Sequence, residues 1–279
     1  MTATLSVVIA VYGGLISYLW LFQRKILFRA DRACPDPAGC GVPEMRPVAL
    51  TAEDGQRLSA WHRPATAPGA PVVLYFHGND AHLGTRAEKV RPYLDAGFGV
   101  LLLSYRGYGG NSGQPSEEGL YHDARAALAF LSSEGTPPSD IVYYGESLGS
   151  GVAVQLALEA PPAVLVLEAP YTDVAAVGQR RYPFVPVRLL MRDRFDNLAK
   201  IPDVRAPVLV IHGEQDRTTP VDFGRAVHAA APEPKEGRFY PQAAHIDLYD
   251  FGAADDVLRF IAAHHPGGDT LQPASNTMP

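Results

Sequence analysis

This chain has little cysteine, no excess of positive charge and no metal-binding spacing, and each absence removes a class of function. Two of its 279 residues are cysteine, so a small domain held together by a disulfide framework is excluded. Lysine and arginine number 24 against 30 aspartates and glutamates, a net charge of −6. No broad basic footprint for nucleic acid exists, and no zinc-finger or RNA-recognition signature occurs. H-E-x-x-H and C-x-x-C are both missing, and the pair His264-His265 reads as the solvated end of a helix. No metal and no cofactor are therefore expected. The glycine-rich stretch 105–113 carries Ser112 where a dinucleotide fingerprint needs its third glycine, and no Gly-Lys-Ser/Thr is present. That stretch reads as a structural loop beside the entrance to a site.

Charge is also missing from residues 5–22, LSVVIAVYGGLISYLWLF, a run just long enough to cross about 30 Å of hydrocarbon as a helix. Arg24 and Lys25 follow at once, and Tyr18, Trp20 and Phe22 suit an interfacial aromatic belt. A cleaved signal peptide is the alternative, but no Lys or Arg precedes the run and no A-x-A site closes it. The run is apolar on all faces, unlike the striped helix of a soluble domain. The expected organisation is a membrane anchor at 1–25, a linker at 26–45, one α/β domain at 46–265 and a disordered Pro/Gly/polar tail at 266–279. Arg24, Lys25, Arg29 and Arg32 favour the cytoplasmic side for the domain by the positive-inside bias, the two cysteines argue the other way, and the topology stays open. Cys34 and Cys40 sit close enough to bridge in an oxidising compartment, or stand as two ordinary thiols.

What is present is a regular alternation. Eight short β-type runs fall at 48–51, 57–62, 72–76, 100–104, 141–144, 164–167, 208–211 and 238–240. From the third onward they alternate with helical stretches at 81–96, 117–133, 149–159, 221–230 and 253–264. Runs such as VLLLS and VLVIHG are almost wholly apolar, as where helices cover both faces of a parallel sheet. The alternation breaks between 171 and 205, a stretch rich in Arg, Pro and bulky apolar residues, read as a short cap.

The fifth run ends in Gly145-Glu146-Ser147-Leu148-Gly149. A serine on a sharp strand-to-helix turn sits in strained backbone, and glycines two before and two after let neighbouring chain pass. Its hydroxyl needs a histidine to take its proton and a carboxylate to orient that histidine. In such folds the order is serine, then acid after a later strand, then histidine. Asp216, in the turn after PVLVIHG, fits the acid, with Glu214 as nearest competitor; His245, in the loop after the last run, fits the base. Oxyanion donors are expected from the backbone N–H groups of Leu148, at the start of a helix, and Asn79, after His77-Gly78. Asp80 is unwelcome beside a developing negative charge, so it should turn away, toward Arg106.

Together, HGN after the third run, SYRGYGGNSGQPSEEGLYHDA after the fourth, GESLGSG, VLVIHGEQDRTTP and the late His245 resemble the serine α/β-hydrolases. More narrowly they resemble the membrane-anchored branch that includes eukaryotic protein depalmitoylases and lysophospholipid lipases. The resemblance implies an α/β-hydrolase fold with an eight-stranded mostly parallel sheet, and catalysis by Ser147, Asp216 and His245 with Asn79 and Leu148 as oxyanion donors. Asp80 departs from the pattern, since similar sequences carry alanine there. The implied activity is hydrolysis of an ester or thioester of an acyl lipid, a small acyl substrate or an acylated protein. The same triad would serve a serine peptidase or aminopeptidase, and a binding protein could keep the fold without catalysis.

Overall fold

The computed structural model describes residues 2–267. Of the tail expected at 266–279, everything from residue 268 lies outside the described residues. One sheet contains β1 (Arg46–Thr51), β2 (Arg57–Arg63), β3 (Val72–Phe76), β4 (Gly99–Leu103), β5 (Ile141–Glu146), β6 (Val164–Glu168), β7 (Val208–Gly213) and β8 (Lys235–Tyr240). The order across it is β8-β7-β6-β5-β3-β4-β2-β1. Only β2 opposes its neighbours, β1 and β4; β3 through β8 pair in parallel. This is the expected eight-stranded, mostly parallel sheet.

The apolar runs explain the layering, because successive side chains of a strand point to opposite faces. Leu74, Phe76, Leu101, Leu103, Leu165 and Leu167 face α3 (Glu117–Ser133), α4 (Leu148–Glu159) and α8 (Val221–Ala230). Val73, Tyr75, Val100, Leu102, Val142 and Tyr144 face α2 (Ala87–Asp95) and α9 (Ala253–His264). Two cores thus form back to back. The start of α3 follows from Ser116, whose hydroxyl accepts the Gly119 N–H at 3.1 Å, and from Glu117 and Glu118 at the positive helix end.

Three stretches depart from expectation. The helical run expected at 81–96 divides into a 3-10 turn, Leu83–Arg86, and α2, because His82 caps the turn by accepting from Gly84 N–H. The stretch expected as a linker, 26–45, is built into the domain. Phe28 joins the first core, Val42 and Met45 join the second, and Arg29–Ala30 pairs in parallel with Asp80–Ala81. His265, expected in solvent, is buried with its Nδ1 accepting from Gly267 N–H.

The apolar N-terminal run forms α1 (Thr2–Leu27), long and apolar enough to cross a membrane. The expected cap at 171–205 contains α5 (Val174–Arg181), α6 (Val187–Leu190) and α7 (Asn197–Lys200). Cys34 and Cys40 are free thiols.

Strand order reverses at β3, which lies between β5 and β4, so a crevice opens where the loops leaving β3 and β5 diverge. There α4 lies against the end of β3: a Cβ on Gly149 would come within 2.0 Å of the Phe76 carbonyl oxygen, and one on Gly145 within 2.7 Å of the Gly149 oxygen. Gly149→Ala is expected to destabilise the protein by about 1–3 kcal/mol, the usual range for overpacking, measured by urea denaturation. An unchanged midpoint would show that the contact can relax.

Candidate active site

Ser147 stands between β5 and α4 with φ 49° and ψ −113°, a conformation side chains rarely adopt. Its N–H donates to the Glu168 carbonyl at 2.8 Å, and its own carbonyl accepts from Ser150 N–H at 2.9 Å. The turn is pinned from both sides, and the hydroxyl stands clear of the sheet.

The structure brings Ser147, His245 and Asp216 together. His245 Nε2 lies 3.1 Å from Ser147 Oγ, and Nδ1 lies 2.6 Å from Asp216 Oδ2. A carboxylate only accepts, so the Nδ1–H donates to Asp216 and leaves Nε2 to accept from the serine hydroxyl. Asp216 is buried, which by itself opposes its charge. Bonds from His212 and His245 outweigh that burial and hold its carboxyl well below the usual range. His212 Nε2–H donates to Asp216 Oδ2 at 3.2 Å and to the Thr219 carbonyl at 2.7 Å. Oδ1 accepts the N–H groups of Thr218 and Thr219, each at 2.8 Å. Burial also opposes charge on His245, but the hydrogen bond and charge of Asp216 prevail and raise its pKa. Glu214 stands apart from this relay, paired with Arg225.

The loop after β3 is held from several directions. The Asn79 carbonyl accepts from Arg29 N–H and from the Tyr108 hydroxyl, each at 2.9 Å, and the Asn79 side-chain amide donates to the Leu27 carbonyl at 2.9 Å. The Tyr105 hydroxyl donates to the His77 carbonyl at 3.2 Å. The 105–113 stretch therefore buttresses this loop, as a structural element should. Asn79 lines the same cavity as Ser147, and neither its N–H nor that of Leu148 donates to another backbone carbonyl among the described residues.

Asp80 corrects one expectation. Arg106 is occupied by Asp123 and Asp54, whereas Asp80 lies 3.6 Å from Arg86. Arg86 donates through Nε and Nη2 to both oxygens of Glu146, at 2.7 and 2.8 Å. One guanidinium thus ties the nucleophile's neighbour to the loop after β3. Sequence reasoning missed this network. Glu146 also accepts from the Tyr75 hydroxyl at 2.9 Å, while Glu168 accepts from Tyr144 at 2.6 Å and pairs with Lys89. Burial opposes the charge of Glu146, but Lys89 and Arg86 prevail and depress its pKa to about 2. The available signal was a lone glutamate ending each of two apolar strands.

Ser147 and His245 open into a cavity of about 920 Å³ whose other walls come from α1, the cap and the turn after Asp216. Among the described residues no cluster of His, Cys, Asp and Glu is suited to a metal.

A parallel sheet with a strained serine, histidine and aspartate gathered at its switch point defines an α/β-hydrolase. A family model described as serine aminopeptidase, S33, matches residues 67–199. An uncharacterised protein of Mycobacterium tuberculosis is 41% identical over 258 residues, 91% of this chain and 92% of that one. Protein ABHD12B of Homo sapiens is 34% identical over 193 residues, 61% of this chain and 52% of that protein. An α/β hydrolase from Vibrio vulnificus superposes with a TM-score of 0.71 at 21% identity, covering 86% of this chain and 92% of that chain. The Pyrococcus furiosus esterase Pf2001 gives 0.68 at 18%, covering 85% and 99%. These two structures share the fold. The chain belongs to the α/β-hydrolase family.

Arg86→Met leaves Glu146 buried with only Lys89, 3.9 Å away, as counter-charge. It is expected to cost about 3–5 kcal/mol of stability, read by urea denaturation at neutral pH. A loss below 1 kcal/mol would show that Lys89 and Tyr75 suffice.

Proposed function

We propose that this protein is a membrane-associated serine hydrolase that cleaves carboxylic esters or thioesters of acyl lipids or acylated proteins through an acyl-enzyme on Ser147. The observation that carries this reading is the continuous relay from Asp216 through His245 to Ser147, at 2.6 and 3.1 Å. In the first half, His245 Nε2 takes the hydroxyl proton as Ser147 Oγ bonds to the acyl carbon. The oxyanion accepts from the N–H groups of Asn79 and Leu148. His245 then returns the proton to the departing alkoxide or thiolate as the C–O or C–S bond breaks. Water repeats the sequence, releasing the acid and restoring Ser147. Asp216 stays ionised and stabilises the imidazolium that forms.

The apolar walls of the cavity and α1 support an acyl substrate and membrane association, and the basic residues after α1 favour a cytoplasmic domain. A signal sequence would satisfy the same helix criteria. The matched family model carries the word aminopeptidase, which keeps amide cleavage as the second reading. Holding a substrate ammonium needs a free carboxylate in the cavity. Of the acids lining it, Glu146 is bound to Arg86 and Tyr75, and Asp80 faces Arg86, whereas Arg29, Arg181 and Arg217 line it with no acidic partner among the described residues. That charge balance favours a neutral or anionic acyl substrate.

Ser147→Ala is expected to abolish fluorophosphonate labelling and ester turnover with little change in Tm, by mass spectrometric mapping and calorimetry. Turnover retained in that variant would sink the assignment. The base must be neutral to accept a proton, so activity is lost as pH falls through the raised pKa of His245. The acid limb of kcat/KM should therefore lie above the ordinary value of 6.5. In Asp216→Asn that support vanishes, so the limb should move to lower pH and kcat should drop on the order of 10⁴-fold. A near-normal kcat would move the acid role elsewhere.

A further inference from the structure

Helix α1 is more than an attachment. Leu19, Trp20, Gln23, Ile26 and Leu27 line the cavity that holds Ser147 and His245. Their spacing places them on one stripe of the helix, which runs about 12 Å at 1.5 Å per residue. Another wall belongs to the cap, with Val177, Val187, Leu190 and Met191.

The two walls are fastened along a seam. The Tyr12 hydroxyl donates to the Phe184 carbonyl at 2.7 Å, the Gln23 amide to the Leu190 carbonyl at 3.2 Å, and Arg24 to Asp193 at 2.7 and 3.0 Å. Between them Ile16 and Leu19 pack against Ala175, Val185 and Val187. From Tyr12 to Arg24 the seam covers about 18 Å of helix, more than half of a hydrocarbon core about 30 Å thick. A cap so attached moves with α1 as one unit. Its Phe184 and Leu189 are each 86% exposed, and Tyr18 and Leu21 of α1 are exposed as well. Exposed Arg29, Arg181 and Arg217 line the cavity with no acidic partner among the described residues, and suit lipid head groups at its mouth.

We propose that α1 is one wall of an acyl-chain site, so that the chain of a lipid ester lies in the cavity beneath the α1–cap seam, with Leu19 and Leu190 limiting the length accepted. The proposal rests on Ser147 being the nucleophile, because the groove leads there. Its volume of about 920 Å³ lies near the top of the range for single-ligand pockets, roughly 300–1,000 Å³.

The test uses the full chain in phosphatidylcholine vesicles and p-nitrophenyl esters from butyrate to palmitate. Leu19→Trp on α1 and Leu190→Trp on the cap should each lower the palmitate-to-butyrate ratio of kcat/KM about tenfold or more, and Leu19→Ala should raise it. Either tryptophan variant suffices if the other does not fold. An unchanged ratio in both, with Ser147 of the same samples still taking fluorophosphonate, overturns the groove assignment and leaves the hydrolase reading standing. A wild-type chain that takes no fluorophosphonate and hydrolyses no ester overturns the hydrolase reading itself. Turnover of an S-palmitoyl peptide without turnover of palmitoyl glycerol in the same vesicles overturns the choice of a lipid.

Discussion

The positive φ of Ser147 is the constraint on which the rest of the site depends, because that strained turn persists only while the chain on either side cannot relax. On one side Gly149 is pressed against the end of β3, at a distance that no larger residue tolerates. On the other, the Ser147 N–H is fixed to the end of β6. The same contact brings the start of α4 beside the loop that leaves β3. Strain at the serine and closeness of the two loops have a common cause.

That packing has an electrostatic cost, which the buried charges offset. Glu146 and Glu168 end neighbouring strands beneath the turn, where a lone carboxylate would be strongly disfavoured. Arg86 and Lys89, both leading from the loop after β3 into α2, reach under the sheet edge to meet them. Tyr75 and Tyr144, stacked at 4.7 Å, carry their hydroxyls to the remaining lone pairs. Such a network adds little net stability compared with an apolar core. What it does provide is geometry, since a bidentate guanidinium admits one relative placement of the elbow and the loop beside it. Asp80 lies at the edge of that arrangement, and the arginine that takes its charge is the one next to it in chain and space.

Much of this was legible in the sequence wherever the signal is local. A strand covered on both faces must be apolar at every position, and the central strands β3 to β7 were found on that basis. The bounds expected for α3, α8 and α9 are those the structure has. The start of β8 was missed by three residues because Lys235, Glu236 and Gly237 offer no apolar pattern on a half-buried edge. For the candidate site, the turn Gly145–Gly149 selected the serine, and chain order the acid and histidine, that the structure brings together. His212 carries no such signal, because its ring contact with Asp216 depends on a turn whose geometry leaves no mark in composition. The pairing of Asp80 was misjudged for a related reason. Asp123 and Asp54 compete for Arg106 from elsewhere in the chain, and sequence distance does not rank such competitors.

The segment after α1 was the least legible, and its placement changes how α1 must be understood. Val42 and Met45 are isolated apolar residues among Pro, Gly and charge, and Phe28 only continues the apolar run Ile26-Leu27, a pattern that resembles a linker until the partners are in view. Once Phe28 enters the core and Asn79 donates to the Leu27 carbonyl, the end of α1 bears directly on the loop that would bind the oxyanion. A flexible tether would transmit no orientation from membrane to site. Here a rigid helix, a two-residue bridge and a side-chain hydrogen bond leave almost no freedom between them, so the direction of α1 fixes the direction of the cavity mouth. The orientation of α1 and the presentation of the site are then one structural property, carried by the same residues.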